Sequence, residues 1–472
     1  MQTLTMKFGG TSVGSPEAIA NVVSIVQEEV KRGNRVVVVL SAMSGVTDML
    51  IGSVREAASG NKWGYLSCSQ KLRDRHEEAL NQLTSPGKNR EQTLTEIHGL
   101  LEQHVELCQA VNILGEATPR INDAIIAFGE RLSCRLVAAA LRQAGISATA
   151  SEAKDLILTD DRFGNAVPIW YETETRIQQR VLPMLDQGVV PVVTGFIGGT
   201  RTGQYTTLGR GGSDFTGAIL AAYTNSDELI IWTDVDGVMT TDPRIDKRAR
   251  VLPYVSYQEV GELAYYGAKV LHPKTVQPIL NKKIPLRVRN TFNPAHPGTL
   301  IGSNGEPSAT VIKAVTSVRN VSLLTVRGQG MIGVPGIAGR TFLATANVGA
   351  NILMISQASS EQNFCFVVMN DCSIEAKQAI EQELSTEIER QDVDGVDVLQ
   401  EVAIVTVVGA GMRGTPGVSG RVFTAMGDAG INVIAIAQGA SECSISFVVD
   451  EDNLEHAVIT LHQLALDSVV AA

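Results

Sequence analysis

Up to about residue 300 the chain alternates short apolar, β-branched runs with longer amphipathic stretches. The runs at 36–40, 189–193 and 229–232 predict buried strands, and the stretches at 16–31 and 130–144 carry helical spacing. That alternation is the signature of an α/β domain, a mostly parallel sheet sandwiched by helices. Its ligands are expected beyond the carboxyl ends of the strands. Residues 66–115 break the pattern. There, 70–83 and 90–111 read as two helices around Ser85-Pro86-Gly87, a helical insertion. His76, His98 and His104 within it are expected to be packed or solvated helix residues. From Asn290 to Glu306 the chain turns rich in Pro, Gly, Asn and Ser, and a domain boundary is placed there.

Beyond that boundary the sequence repeats itself. Gly328, Gly330, Met331, Pro335, Gly336, Arg340, Phe342, Asn351, Gln357, Ser360 and Glu361 recur as Gly409, Gly411, Met412, Pro416, Gly417, Arg421, Phe423, Asn432, Gln438, Ser441 and Glu442. The offset is constant and gapless, so the region is a duplication. Each copy reads strand, loop, helix, strand, turn, strand, with the first helix at 337–346 and strands at 352–357 and 364–368. Gly328-x-Gly330-x-x-Gly333 and Gly409-x-Gly411-x-x-Gly414 both fit the dinucleotide fingerprint. A working fingerprint has an acidic residue about 20 positions on, for the ribose. Residues 352–356 and 433–437 hold none. Dinucleotide binding is therefore not expected.

Composition narrows the classes. A chain of 472 residues exceeds one ordinary core and implies two or three domains. With 44% apolar and 19% charged residues it has the balance of a soluble globular protein. A net charge of −11 argues against nucleic acid as a general partner. The six cysteines (Cys68, Cys108, Cys134, Cys365, Cys372 and Cys443) include no C-x-x-C pair and read as buried thiols in a reducing compartment. No leader pattern opens the sequence and no apolar stretch is long enough for a bilayer, so no membrane partner is expected. The expected location is cytoplasmic.

Two glycine clusters carry the candidate chemistry. Lys7-Phe8-Gly9-Gly10-Thr11-Ser12 and Leu208-Gly209-Arg210-Gly211-Gly212-Ser213-Asp214 each follow an apolar run and join bare backbone to a cation and a hydroxyl. Backbone N–H groups approach phosphate most closely at glycine, and a helix N-terminus adds a favourable dipole. The pair outlines a small-molecule kinase gripping a nucleotide phosphate and a second anionic ligand. Lys7 is expected to face the phosphates. Arg210 suits a bidentate grip on a carboxylate, with Ser213 as a further donor. Asp214 is expected to orient Lys7 and another lysine, with a helix N-cap as the competing reading. That other lysine is Lys269, in Tyr266-Gly267-Ala268-Lys269-Val270-Leu271-His272-Pro273, where His272 reads as structural.

Trp232-Thr233-Asp234-Val235-Asp236-Gly237-Val238 closes a strand. Thr233 and Asp234 suit a nucleotide's ribose and base, or magnesium through water. Asp236-Gly237 and Asp242-Pro243 read as turns. A carboxylate acceptor is already ionised near neutral pH, so no general base is required and the product would be an acyl phosphate. Lys7 and Lys269, with Mg²⁺, would offset charge on the phosphoryl group.

Taken in order, the segments 7–12, 128–133 (Phe-Gly-Glu-Arg-Leu-Ser), 208–214, 232–237 and 267–273 resemble the motifs of the aspartate kinase family, of the amino-acid kinase fold. The likeness covers nearly the whole chain. The repeats resemble tandem ACT domains, small amino-acid-binding modules of α+β, ferredoxin-like architecture. The resemblance implies a catalytic domain at 1–305, with the insertion at about 66–115, then ACT domains at 306–395 and 396–472. In that family one ACT unit is usually inserted into the other. By the same resemblance Lys7 and Lys269 contact phosphate, with Asp214 as their organiser. Thr47, Glu130, Arg210 and Ser213 contact aspartate. Gly9, Gly10, Ser41, Thr233, Asp234, Met239 and Arg244 lie on the nucleotide side, and Asn351, Gln357, Asn432 and Gln438 contact an effector. Phe215 and Met239 stand where the family commonly has tyrosine.

The implied cofactors are ATP and Mg²⁺, the implied acceptor L-aspartate, and the product 4-phospho-L-aspartate, at the entry to lysine, threonine and methionine biosynthesis. A homodimer or larger homo-oligomer is implied, since ACT sheets commonly pair. The Gln-x-Ser-Ser-Glu pattern resembles threonine-sensitive members more than lysine-sensitive ones. Three alternatives stay open. One is another kinase of this fold, acting on N-acetylglutamate, glutamate or a nucleoside monophosphate. Another is a non-catalytic amino-acid sensor. The third is the kinase half of a bifunctional kinase–dehydrogenase; ending at Ala472 without a dehydrogenase region, this chain is expected to supply only the first activity.

Overall fold

The computed structural model describes residues 1–267, 271, 273–303, 311–331, 334–357 and 362–467, with backbone alone at 273–275. The expected boundary at 305/306 lies outside the described residues, as do Lys269, His272, Gly333, Ser360 and Glu361. The chain forms two compact units. Met1–Val238, Val251–Tyr257 and Val270–Ser303 make one; Met239–Arg250, Gln258–Lys269 and Asn304–Ala472 make the other. Two short stretches read from sequence as part of the first domain therefore pack with the second unit.

The first unit carries strands β1 (Thr3–Phe8), β2 (Arg35–Leu40), β3 (Ala148–Ser151), β4 (Val190–Thr194), β5 (Ile197–Gly199), β6 (Tyr205–Thr207), β7 (Glu228–Thr233), β8 (Tyr254–Ser256), β9 (Leu286–Asn290) and β10 (Thr299–Gly302). Eight of them form one sheet in the order β3-β4-β2-β1-β7-β9-β10-β8, and β5 and β6 pair separately. Every contact in the large sheet is parallel except β9 with β10. All six residues of β1 are buried, as expected for a strand covered on both faces. With β2 on one side of β1 and β7 on the other, strand order reverses at β1. In sheets of this kind ligands are expected beyond the carboxyl ends at such a reversal.

The stretch that breaks the alternation folds as helices Lys62–Leu83 and Lys88–Leu114. They pack on each other and on helices Val46–Ala58 and Phe128–Gln143, extending the main core through Leu72, Leu101 and Val111. His76 and His104 are fully buried within this layer. His76 Nδ1 lies 2.7 Å from the Leu72 carbonyl, and His104 Nε2 lies 3.0 Å from Ser53 Oγ. Burial pushes both imidazoles down to about 4, because a charged ring would lose its hydration there.

The second unit carries β11 (Ala314–Arg327), β12 (Met354–Gln357), β13 (Asn363–Met369), β14 (Gly395–Val408), β15 (Ala435–Ala437) and β16 (Ser444–Asp450). They form one antiparallel sheet in the order β12-β13-β11-β14-β16-β15. The repeats match element for element: helix Ile337–Asn347 with Val418–Asp428, β12 with β15, β13 with β16, and helix Ser373–Glu383 with Leu454–Asp467. Each first helix starts after a left-handed glycine, Gly336 at φ +94° and Gly417 at φ +84°, a conformation that a Cβ disfavours. The paired G-x-G sequences have a packing cause. A Cβ on Gly328 would sit 2.2 Å from the Asp392 carbonyl, and one on Gly409 2.3 Å from that of Val311.

The cores of the two repeats interleave in sequence. Ile312 and Val315, ahead of the first repeat's own residues, pack with Phe447 and Leu461 of the second. Leu324 and Val326, further along β11, pack with Phe364 and Phe366 of the first. The stretch Gln258–Lys269 is stitched to this unit by polar contacts. Lys313 Nζ lies 2.9 Å from Glu259 Oε2, the Ala410 N–H donates to Glu259 Oε1 at 2.6 Å, and Ser444 Oγ donates to Glu262 at 2.8 Å.

The two buried histidines make stability pH-dependent. The unfolded chain takes up their protons as pH falls through about 6.5, whereas the folded chain resists until about 4. Their contribution is complete above pH 6.5 and is lost on acidification towards 4. The melting temperature should therefore drop across that window. His76→Gln/His104→Gln, which cannot titrate there, should flatten the drop by an amount on the order of 1 kcal/mol per pH unit per histidine. Calorimetric scans from pH 4.5 to 7.5 check this, and an equal slope in both proteins would refute it.

Candidate active site

The central strand and the second glycine cluster meet. Lys7, one residue from the end of β1, lies in register between Val39 of β2 and Ile231 of β7 and is only 8% exposed. Its Nζ is 2.5 Å from Asp214 Oδ1, in the first turn of helix Gly212–Tyr223. The contact is an ion pair without hydrogen-bond alignment. A carboxylate in the first turn also meets the positive end of the helix dipole.

Glycine is what lets the cluster make this turn. Gly209 and Gly211 are left-handed, at φ +76° and +73°. The turn is pressed so closely against the preceding loop that a Cβ on Gly212 would lie 2.7 Å from the Phe196 ring, and one on Gly195 2.7 Å from Ser213 Cβ. Ser213 and Asp214 are thereby delivered to the helix start.

The remaining strand-end residues gather on the same edge of the sheet. Ser41 directly follows β2, and its N–H donates to the Phe8 carbonyl at 3.2 Å. Thr233 ends β7, its hydroxyl donating to the exposed Asp234 at 3.1 Å. The Gly9 N–H, expected at a phosphate, is donated to the Trp232 carbonyl at 3.0 Å and braces the loop instead. Ser12 Oγ lies 2.7 Å from Thr291 Oγ1, and Asp236 accepts from the amides of Asn290 and Asn293 at 2.9 and 3.1 Å. These braces join the ends of β1, β7 and β9. Sequence reasoning missed Asn290, Asn293 and Thr291, because nothing local marks an amide that will hold a turn over fifty residues away.

Glu130, expected at the acceptor, is buried within reach of the Lys7 charge. Helix Phe128–Gln143 approaches the chain after β2 so closely that a Cβ on Gly129 would sit 2.7 Å from Ala42 Cβ. That approach buries Glu130 to 4% exposure and lets the Ala42 N–H donate to its Oε1 at 3.1 Å. Oε2 has no hydrogen-bond partner among the described residues. Burial pushes the carboxyl up to about 7, against the pull of the Ala42 N–H, its own N–H and the Lys7 charge. Its neighbour Arg131 has a different job: it lies 4.8 Å from the Phe128 and Tyr205 ring centres and donates to Glu152 at 3.1 Å. The Glu152 carboxyl, despite its burial, is held near 2 by Arg131, the Tyr205 hydroxyl and Arg135.

Arg210 is exposed and lines a cleft of about 760 Å³ with Arg55, Asn122, Asp123, Phe196 and Thr207. Lys7 and Glu130 lie outside that lining. Asp123, also missed in the sequence, is buried and accepts from the N–H groups of Gly164 and Thr207 and from the Thr207 hydroxyl, at 2.8–2.9 Å. It pins the strand leading into the second glycine cluster. Thr47 is half-buried at the start of helix Val46–Ala58, entered through left-handed Gly45.

Met239 and Arg244 belong to the second unit. Arg244 is exposed there and is held by both oxygens of Asp242, its Nη2 2.6 Å from Oδ2. Asn351 and Gln357 flank and end β12, and Asn432 and Gln438 stand at the same places around β15; all four are exposed. Among the described residues no cluster of His, Cys, Asp or Glu could hold a metal ion by itself, and no helix is long and apolar enough to cross a membrane.

Residues 2–290 match the amino acid kinase family model, and 324–384 and 405–464 match an ACT domain model. The bifunctional aspartokinase/homoserine dehydrogenase 1 of Arabidopsis thaliana is 36% identical over 462 residues, 97% of this chain and 50% of that protein. This chain thus spans about half the length of such relatives. Aspartokinase 1 of Arabidopsis thaliana is 33% identical over 99% of this chain and 80% of its own length. Escherichia coli aspartokinase III, solved with aspartate and ADP in an R-state, superposes with a TM-score of 0.82 at 30% identity, covering 98% of this chain and all of that one. The same enzyme with lysine and aspartate in a T-state gives 0.78. Together these define the class: an amino-acid kinase fold followed by ACT domains. The chain belongs to the amino acid kinase family and, within it, to the aspartokinases.

Proposed function

We propose that this chain transfers the γ-phosphoryl group of ATP to the side-chain carboxylate of L-aspartate, forming 4-phospho-L-aspartate. The observation that carries this reading is the buried, unpartnered Glu130 Oε2. A carboxylate oxygen left without a donor in a dry site favours a ligand bearing a free ammonium group. L-Aspartate has one; N-acetylglutamate and nucleoside monophosphates do not. Arg210 and Ser213 would hold the α-carboxylate, with Thr47 beside them. The acceptor carboxylate is already ionised, so this chain supplies charge and position in place of a base. Lys7, kept in place by Asp214, would face the transferring group together with Lys269. Gly10, Ser41, Thr233, Asp234 and Arg244 would hold the nucleotide. Mg²⁺, when bound, would offset phosphate charge, and the exposed Asp234 carboxylate would help hold it through water.

The duplicated modules support feedback by an amino acid bound at Asn351 and Gln357, Asn432 and Gln438. Amide side chains both donate and accept, as a zwitterion requires. The Gln-x-Ser-Ser-Glu pattern favours threonine over lysine, and the family's habit of pairing ACT sheets supports a homo-oligomer. Inhibition requires that the effector bind two states of the enzyme unequally.

ADP release measured with Mg²⁺–ATP and L-aspartate, glutamate, N-acetylglutamate or UMP tests the reaction; turnover with any acceptor but aspartate alone would replace the substrate. The pH profile tests Glu130. Its carboxyl is protonated below about 7 in the free enzyme, so kcat/KM for aspartate should rise from pH 6 to 8. Glu130→Gln should lose that limb and raise the aspartate KM by about tenfold or more, the scale of a lost charged hydrogen bond.

Lys7→Ala should lower kcat by about a hundredfold or more, as when a preorganised charge stabiliser is removed. Arg210→Ala should chiefly raise the aspartate KM. Steady-state kinetics separate the two, and near-parental turnover in Lys7→Ala would remove it from the chemistry.

Threonine should inhibit more strongly than lysine, and Gln357→Ala with Gln438→Ala should abolish the stronger inhibition. Unaltered inhibition in that double variant would dismiss the effector assignment.

A further inference from the structure

The helical insertion reaches the strand ends of the first unit through one side chain. Helix Lys62–Leu83 buries Leu72, His76 and Ala79 along one face, at helical spacing. Arg75 stands at the margin of that face and is half-buried. Its Nη1 donates to the Ser44 carbonyl at 2.8 Å, and its Nη2 donates to the Gly14 carbonyl at 2.9 Å. Gly14 belongs to the loop that leaves β1, and Ser44 to the loop that leaves β2. A guanidinium carries its donors in a rigid planar fork, so one side chain fixes two carbonyls at a set separation.

Those loops flank the place where strand order reverses, and they are packed on each other. The Ser44 N–H donates to the Gly10 carbonyl at 3.1 Å, and a Cβ on Gly10 would lie 3.1 Å from the Ala42 carbonyl. Their anchorage is unequal. The loop after β1 is tied to β7 by the Gly9 N–H, 3.0 Å from the Trp232 carbonyl, and to the chain after β9 by Ser12 Oγ, 2.7 Å from Thr291 Oγ1. The loop after β2 leans on β1 and its loop, through the N–H groups of Ser41 and Ser44, and on Arg75. Loss of the fork therefore falls on the loop after β2.

That loop carries the Ala42 N–H, which donates to Glu130 Oε1 at 3.1 Å. Ala42 is two residues ahead of the carbonyl that Arg75 holds. Glu130 is buried and its Oε2 has no partner among the described residues, so the Ala42 N–H sets where the carboxylate stands. Helix Phe128–Gln143 leaves no slack at this contact, because Gly129 meets Ala42 with no room for a Cβ.

We infer that Arg75 is a positioning residue for the acceptor: from the insertion it staples the loops after β1 and β2 and so holds the Ala42 N–H against Glu130. This role rests on the reading of Glu130 as the contact for the aspartate ammonium group. Both terminal nitrogens of Arg75 are engaged by backbone carbonyls, so its effect on the reaction is carried by the loop.

The test is steady-state kinetics of the full chain, varying aspartate and ATP separately. Arg75→Met keeps the apolar stem and removes the fork. It should raise the aspartate KM about fivefold or more while kcat and the ATP KM stay within about twofold. Arg75→Lys keeps the charge without the planar fork and should fall between the two; it also carries the test if Arg75→Met does not fold. Adding Arg75→Met to Glu130→Gln should raise the aspartate KM little beyond that of Glu130→Gln alone, since both changes act on one contact. An unmoved aspartate KM in both Arg75 variants, with Glu130→Gln raising it, would overturn the positioning role and leave the reading of Glu130 standing. A lowered melting temperature with kcat and both KM values changed alike would make Arg75 a support of the fold only. Independent, multiplying effects of Arg75→Met and Glu130→Gln would break the path through Ala42. An unmoved aspartate KM in Glu130→Gln alone would overturn the reading of Glu130, and the role of Arg75 with it.

Discussion

A lysine and an aspartate held 2.5 Å apart in a nearly dry strand-end crevice impose the terms for the rest of the first unit. Taking two charges out of water costs several kcal/mol per ion, and their attraction offsets this only with good geometry. The sheet order supplies that geometry by placing β1 centrally, with Lys7 near its end. The second glycine cluster supplies the partner through two left-handed turns and two contacts too close for any side chain. Asp214, in the first turn of its helix, engages the charge of Lys7, and an ammonium group has further protons for a ligand. In the proposed reaction a phosphoryl group would meet there a cation already desolvated and fixed, the condition under which a charge is most effective.

The same constraint explains why Glu130 is so perturbed. It shares the crevice with Lys7 and feels that charge, yet burial outweighs it and leaves the carboxyl near 7. A protein gains nothing in stability from such a group. Its placement within reach of the Lys7 charge fits the proposed role, in which a ligand's ammonium would convert an isolated buried charge into a paired one.

Much of this was legible in the sequence because it is written locally. β-Branched runs announce strands, glycine clusters announce turns at strand ends, and a gapless duplication announces two copies of one module. What stayed hidden depends on partners far apart in the chain. Asp123 meets Thr207 across 84 residues, and His462 meets Asp246 across 216. Aspartates near glycine or proline read as turn formers, which Asp236 and Asp242 are, and nothing beside Asp246 separates it from them. The composition shift at 290–306 marks where the chain changes character. It carries no trace of Met239–Arg250 and Gln258–Lys269 folding with the repeats, because that depends on which surfaces the repeats leave uncovered.

The two repeats share a fold and much of a sequence, but not a set of neighbours. In the second, the Ala410 N–H takes the Glu259 carboxylate and the Gly414 N–H takes Glu442, so loop amides suited to an anion are engaged by the protein's own side chains. The helix of that repeat adds His462, where the first repeat has Glu381. Duplication thus produced one module whose polar groups are largely committed to chain segments drawn in from the first 270 residues.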